Sequence, residues 1–393
     1  MTATMRRSRH PVSGQSHDPS RRYVFFSHDG YGVGHLRRNA LIAHEILAQD
    51  PGAEVILVTG VRQLPAWTID PRICVVPVPP LVKGPDGVYG NDVFSFEETV
   101  ARRSEMFAAV LARVQPHVVV VDRHPFGIGG ELRAALVAAG ERGATLVLGL
   151  RDVLDDPATV RVEMTGRGWE DVSEIFDEVL VYGSAGFCDH QLEYGLPFER
   201  PTYCGWVVEP APAARRRPRS LAVAAGGGGD GGGVFRLGVE VLAARPGWSG
   251  VLAAGPYADV EDRAAVVASS LAAGRIRVIE DAAGCLPLFA ASSAVIQMAG
   301  YNSTFEALAA GLRPILVPRW QPRREQLIRA ELLAERDLAD VVAEGDRPET
   351  VARLLDGDRR QLLTSVRRAG IELDGAVVAA SRLRLHCRAS RAA

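Results

Sequence analysis

Residues 294–330, AVIQMAGYNSTFEALAAGLRPILVPRWQPRREQLIRA, hold the chain's densest set of groups suited to a phosphorylated ligand. An apolar run ends at Met298, Gly300 permits a tight turn, and Asn302 reads as the N-cap of a helix over 303–310. Ser303 and Thr304 then place backbone N–H groups and hydroxyls at the positive end of a helix dipole, where anions are stabilised. Glu306 lies one turn in, too close to a diphosphate to be welcome unless its two oxygens accept from a ribose diol. After a short strand at 315–317 and the stop at Pro318 come Arg319, Arg323, Arg324, Glu325, Gln326 and Arg329. The arginines offset phosphate charge, and the Glu325–Gln326 pair offers acceptors and donors suited to sugar hydroxyls. Composition alone also allows a plain capped helix followed by a charged one.

Two glycine-rich turns make the same kind of offer. YVFFS runs into His28-Asp29-Gly30-Tyr31-Gly32-Val33-Gly34-His35, and LAVAA runs into Gly226, Gly227, Gly228, Gly229, Asp230 and three more glycines, each ahead of a helix. Glycines let backbone amides approach a ligand closely. Neither turn has the GxGxxG spacing, and the second strands end in Thr59-Gly60 and Ala254-Gly255-Pro256, without the acid that holds a nicotinamide ribose. A dehydrogenase is thereby disfavoured.

For proton transfer the first candidate is His35. It stands at a helix start, an environment that disfavours imidazolium and so keeps a base neutral. Asp122 is the second, at the carboxyl end of the strand HVVVVD, where clefts of open sheets lie. His28, Asp29, Arg151 and Asp152 also end strands and are candidates to line a second-substrate pocket; Arg151 with Asp152 alternatively forms a local ion pair. Asp356-Gly357-Asp358, the one Asp-x-Asp, lies beside Arg359 and Arg360 and reads as a turn, so no metal site is expected.

Positioning these groups requires two sheets. β-rich runs at 23–27, 54–59, 73–78, 117–122, 145–150 and 178–182 alternate with helical stretches such as 36–47 and 96–114. Near-continuous apolar strands separated by helices imply a parallel sheet covered on both faces. The segment 209–219, EPAPAARRRPR, breaks the pattern and reads as a linker. Strands at 221–225, 250–254, 275–280, 294–298 and 315–317 then form a second series. The expected organisation is a polar tail (1–21), a first α/β domain (22–208), the linker (209–219) and a second α/β domain (220–375). A last helix (376–393) crosses back to the first domain. The fold class is α/β, two doubly wound Rossmann-like domains facing a central cleft.

Composition agrees. The 393 residues are 47% hydrophobic and 23% charged with a net charge of −2, ample for two cores and without the bias that marks nucleic-acid binding. Lys83 is the only lysine, and two of the three asparagines, Asn39 and Asn302, fall in the stretches described above. Five widely spaced cysteines with no CxxC read as thiols of a reducing compartment. With no apolar leader and no run of 18 apolar residues, the expectation is a cytoplasmic protein without an integral membrane segment.

The C-terminal block resembles the donor-binding half of GT-B glycosyltransferases, in particular the group that includes the enzyme adding N-acetylglucosamine to the lipid-linked peptidoglycan precursor. The matching positions are Gly300, Thr304, Glu306, Pro318, Gln326 and Ala330. The diphosphate loop corresponds to Gly226–Gly233 and the N-terminal Gly-x-Gly-His element to Gly32-Val33-Gly34-His35. SHDGYGVGHLRRN, LRDVLDDP and GYNSTFEAL are more similar to a bacterial branch of these transferases than to the peptidoglycan enzyme. The resemblance implies an inverting, metal-independent transfer from a nucleotide diphosphate sugar, UDP-linked by preference, to a hydroxyl or amine of a small-molecule or lipid-linked acceptor, with no cofactor. It implies donor contacts from Gly32, Gly34, Gly300, Asn302, Ser303, Thr304, Glu306, Arg324, Glu325 and Gln326. One departure is 281–291, DAAGCLPLFAA, where Cys285 and Leu286 occupy the base-binding region and an expected Asp is missing. A nucleotide-sugar epimerase or hydrolase, or a non-catalytic sugar-nucleotide sensor, are the competing readings.

Overall fold

A computed structural model describes residues 20–28, 32–61, 69–83, 89–225, 231–254, 274–280, 284–319, 321–343 and 345–389. The valine- and leucine-rich runs form strands β1 (Arg22–Ser27), β2 (Glu54–Thr59), β3 (Ile73–Pro77), β6 (Val118–Asp122), β7 (Thr145–Arg151), β8 (Glu178–Tyr182) and β9 (Thr202–Tyr203). A two-stranded antiparallel hairpin, β4 (Val82–Lys83) with β5 (Tyr89–Gly90), is inserted before the long helix Phe96–Val114. That helix starts at a full capping box: Ser95 accepts from the Glu98 amide and the Glu98 carboxylate accepts from the Ser95 amide.

The first sheet has the order β3-β2-β1-β6-β7-β8-β9, all parallel. The second uses β10 (Ser220–Ala224), β11 (Ser249–Ala254), β12 (Ile276–Glu280), β13 (Ala294–Gln297), β14 (Ile315–Leu316) and β15 (Asp340–Val341). Its order is β12-β11-β10-β13-β14-β15, again parallel. Both sheets reverse direction of winding next to their first strand, between β1 and β6 and between β10 and β13. Ligand crevices of open α/β sheets form at this point, beyond the carboxyl ends of the strands. Register puts Ser27 beside Asp122 there, and Ala224 beside Gln297.

Between β9 and β10 the chain runs without helix or strand, as its prolines require. Arg21, expected in the tail, instead pairs with Asp50 at 2.5 Å. The helix Gly375–Ala389 packs on the helix Gly34–Gln49 of the first sheet: Gln49 donates to the Val377 carbonyl and accepts from Ser381 and Arg384. Arg382 and His386 reach Glu178 at the start of β8.

The largest apolar core is not confined to one sheet. It joins the strands β1, β2, β6, β7 and β8 to Tyr301, Phe305, Leu308, Ala330 and Leu333 of the second half. Trp206 and Phe305 stack across this boundary with centroids 4.9 Å apart. Beneath the second sheet, Gly231 caps the helix Gly232–Ala243, and a Cβ there would overlap the Cβ of Ala225. Gly231→Ala is therefore expected to cost about 1–3 kcal/mol of stability, read as a lower denaturant midpoint. An unchanged midpoint would show that β10 and this helix are packed less tightly.

Candidate active site

The helix Gly34–Gln49 begins just past the carboxyl end of β1, and Tyr301–Ala309 just past that of β13. Their amino termini face each other: Asn302 Nδ2 donates to the Gly34 carbonyl at 3.2 Å, and a Cβ on Gly34 would lie 3.6 Å from that nitrogen. Gly32 has φ +112°, a conformation that L side chains rarely adopt, so the turn into the first helix needs a residue without Cβ.

One detail of the sequence reading is corrected. Asn302 is not the N-cap: Gly300 is, with φ −66° and ψ 148°, and the helix starts at Tyr301. The Thr304 amide is already bonded to the Gly300 carbonyl, so the amides of Tyr301, Asn302 and Ser303 form the open first turn. Ser303 and Thr304 are buried. Asn302 Oδ1, Thr304 Oγ1 and Glu306 Oε2 are all shielded from solvent and have no hydrogen-bond partner among the described residues. Polar atoms in that condition are uncommon, because each forfeits its hydration.

Glu306 also meets the opposite half. Arg37 reaches its Oε1 at 2.7 Å. Burial pushes the Glu306 carboxyl above its usual range, and Arg37 and the amides of Cys285 and Leu286 only partly counter this. Cys285 and Leu286, noted above in the expected base-binding region, thus turn their amides to Glu306. Burial pushes the Cys285 thiol itself up to about 12.

Across the cleft, His35 Nδ1 lies 3.0 Å from Asp122 Oδ1. Arg38 binds the same carboxylate with its NH2 nitrogen 2.8 Å from Oδ1 and 2.6 Å from Oδ2. That nitrogen is also 3.0 Å from His35 Nδ1, but the shorter carboxylate contacts take its protons. Nδ1 therefore carries the imidazole proton toward Asp122, and Nε2 is the basic nitrogen. Asp122 itself is fully buried. Burial pushes its carboxyl up, but Arg38 and His35 outweigh this and hold it below the usual range. An ionised carboxylate enclosed in this way orients the imidazole and is out of reach as a proton acceptor for a bound substrate. This corrects its reading as an alternative base.

Behind this pair runs a buried chain of contacts joining the halves. The Arg38 guanidinium lies 5.2 Å from the Tyr182 ring and 5.1 Å from the Tyr301 ring. Tyr301 donates to the Tyr182 carbonyl and accepts from the Val207 amide. Arg329 then grips Asp152 at 2.6 and 2.9 Å, and Trp206 Nε1 donates to the same carboxylate at 3.1 Å. Arg151 and Asp152 are not a mutual pair. Asp152 belongs to Arg329, and Arg151 faces Glu325 at 3.9 Å.

Glu325 and Gln326 begin the helix Glu325–Glu335 and are both buried. Glu325 Oε1 is 2.9 Å from Arg319, while Oε2 has no partner among the described residues; Gln326 Oε1 accepts from the Arg319 amide. Arg324 departs from expectation. Its side chain is half exposed and reaches Asp156 at 3.4 Å, while its amide donates to Asp155 at 2.7 Å, a strut between the halves with no side-chain role in the cleft. Gly226, Gly227, Gly228 and Gly229 lie outside the described residues, as do Asp29, Gly30 and Tyr31. Asp358 of the Asp-x-Asp pairs with Arg360 and Asp356 with Arg245, in keeping with a turn.

Sequence reasoning missed Arg37, Arg38, Tyr182 and Tyr301. Arg38 alone left a trace, being three residues after His35 and so on the same helical face.

No protein-family model matches the chain, and no curated protein is similar to it in sequence. Solved structures are similar in fold. The glycosyltransferase SnogD from Streptomyces nogalater superposes with a TM-score of 0.59 at 18% identity, over 93% of this chain and 100% of that one. Medicago truncatula UGT71G1, solved with UDP-glucose, gives 0.60 at 10% identity over 93% and 98%. MurG of Acinetobacter baumannii gives 0.51 at 12% identity over 95% and 99%. The chain has the GT-B fold, that of two-domain glycosyltransferases. Among the described residues no helix is long and apolar enough to cross a membrane.

Proposed function

We propose that the chain is a glycosyltransferase that moves a sugar from a nucleotide diphosphate donor, UDP-linked by preference, to an acceptor hydroxyl or amine. The observation that carries this is the trio of buried, unpartnered oxygens on Asn302, Thr304 and Glu306 around an open helix start. A diphosphate would take the amides of Tyr301–Ser303, and the ribose diol would donate to Glu306. Glu325 and Gln326 would hold the sugar, with Arg319 beside them. The same fold in sugar-transferring proteins supports the reading.

In the step itself, His35 Nε2 takes the acceptor proton as the acceptor oxygen or nitrogen bonds to the anomeric carbon. The bond from that carbon to the diphosphate breaks, and its electron pair leaves with the diphosphate. A single displacement of this kind inverts the anomeric centre; a product of retained configuration by NMR would exclude it. The helix dipole stabilises the departing charge and Asp122 stabilises the imidazolium, so the scheme calls on no cofactor or metal. A cytoplasmic setting belongs to the proposal, supported by five cysteines that are all unpaired.

The test is a thermal-shift screen of UDP-, dTDP- and GDP-sugars. A donor at 100 times its dissociation constant should stabilise the fold by about 2.7 kcal/mol. Glu306→Gln should weaken that donor about 10- to 100-fold, the worth of a hydrogen bond to a charged group. Wild-type affinity should decline on acidification above the ordinary carboxylate range, because the raised Glu306 carboxyl gains its proton early. The Gln variant should lose that dependence. No stabilisation by any activated sugar would end the proposal.

A further inference from the structure

A cavity of about 660 Å³ opens past the carboxyl end of β6, walled by Tyr89, Phe96, Pro125, Ile128 and Trp169 of the first half and bordered by Arg323 of the second. Its volume is that of a site for a drug-sized molecule. The cavity is continuous with the catalytic groups: His124 lines it, and the His28 ring packs 5.5 Å from His124 and 5.4 Å from Tyr89. His124 itself stands two residues past Asp122, the carboxylate that His35 meets. A second cavity of about 310 Å³, lined by Arg22, Gln115 and His117, sits at the amino ends of β1 and β6 and is remote from this chemistry.

The polar groups of the larger cavity are mostly committed to one another. Glu163 accepts from Arg123 Nη2 at 3.1 Å and hydrogen-bonds to Trp169. Burial and then neighbouring cations keep the imidazoles of His28 and His124 well below their usual range, so both are neutral. Arg323 keeps only a loose contact with Asp155 at 3.9 Å. A polyol would need a dense set of open donors and acceptors; of the ionisable groups lining this cavity Glu163 is paired with Arg123 and His124 is neutral, which leaves Glu97 and Arg323. A lipid diphosphate would need several uncommitted cations, and Arg123 is already taken. Three aromatic rings with proline and isoleucine match a flat apolar body.

We infer that the acceptor is a planar, hydroxylated aromatic compound seated in this cavity, which rests on the glycosyltransferase reading above for its role though not for its binding.

Calorimetric titration of the full chain with 1-naphthol, methyl glucoside and farnesyl diphosphate tests this. Naphthol should bind at least ten-fold tighter than either of the others. Phe96→Ala, at a half-buried first helical position, should weaken naphthol about ten-fold while leaving the UDP-sugar thermal shift in place. Tighter binding of methyl glucoside or farnesyl diphosphate, or naphthol binding indifferent to Phe96, overturns the inference. If naphthol binds as expected but no activated sugar stabilises the protein, the aromatic site stands and the transferase reading falls. Sugar binding without naphthol binding reverses that outcome.

Discussion

Replacing His35 with alanine is expected to lower kcat by about 10²- to 10⁴-fold while the donor-induced thermal shift is retained, the usual loss when a positioned general base is removed. The expectation follows from one tautomer. Asp122 accepts the Nδ1 proton at 3.0 Å, which leaves Nε2 as the nitrogen able to take a proton. Release of nucleoside diphosphate in the presence of an acceptor found by the binding screen is the measurement. Turnover within a few-fold of wild type would remove His35 from the mechanism. His35 makes the cleaner test than its partner. Asp122→Asn strips the counter-charge from Arg38, only 2% exposed, and activity would then be lost for two reasons at once.

The largest stability effect is expected from Asp152→Ala, at about 3–5 kcal/mol, because Arg329 would remain buried without a counter-charge. The two side chains are 0% and 1% exposed and come from opposite halves, so the loss falls on the boundary between the sheets. Urea titration followed by tryptophan fluorescence reports it, since Trp206 donates to the same carboxylate. Exchanging both partners for apolar residues of similar size, Asp152→Leu with Arg329→Met, should regain most of the loss. Equal destabilisation by the single and double variants would mean that packing, and not the unpaired charge, is responsible.

Acid should act on the same pair. Burial pushes the Asp152 carboxyl up, but Arg329, Trp206 and the Val153 amide outweigh this, and its folded value falls below the ordinary 3.8. The stabilisation is therefore complete above that ordinary value. It disappears as pH falls from there through the lower folded value, where the folded state too becomes protonated. In the double apolar variant this part of the acid dependence should vanish.

The turn at Gly32 and the 294–330 block were legible because turn chemistry and helix starts are written locally. Gly300 and the helix behind it lie within two residues of where residue types alone place them. The misplaced N-cap has a plain cause. Asn302 is a good cap by type, but its amide is used across the cleft on the Gly34 carbonyl, and no local rule contains that partner. Strands β9 and β15, two residues each, are too short to show periodicity. Arg324 was assigned to phosphate by charge. Its engagement with Asp155 and Asp156 depends on how the halves meet.

Residue order by itself determined the two parallel sheets and the break between them, since strand, turn and helix-start preferences act over a few neighbours. Only the tertiary structure decided that Arg38 clamps Asp122, that Arg37 reaches Glu306 and that Arg329 binds Asp152. The partners in these pairs lie 84, 269 and 177 positions apart, and the second and third cross from one sheet to the other. Ion pairs of that kind are selected by shared burial: a charge withdrawn from water must find its counterpart wherever packing has placed one.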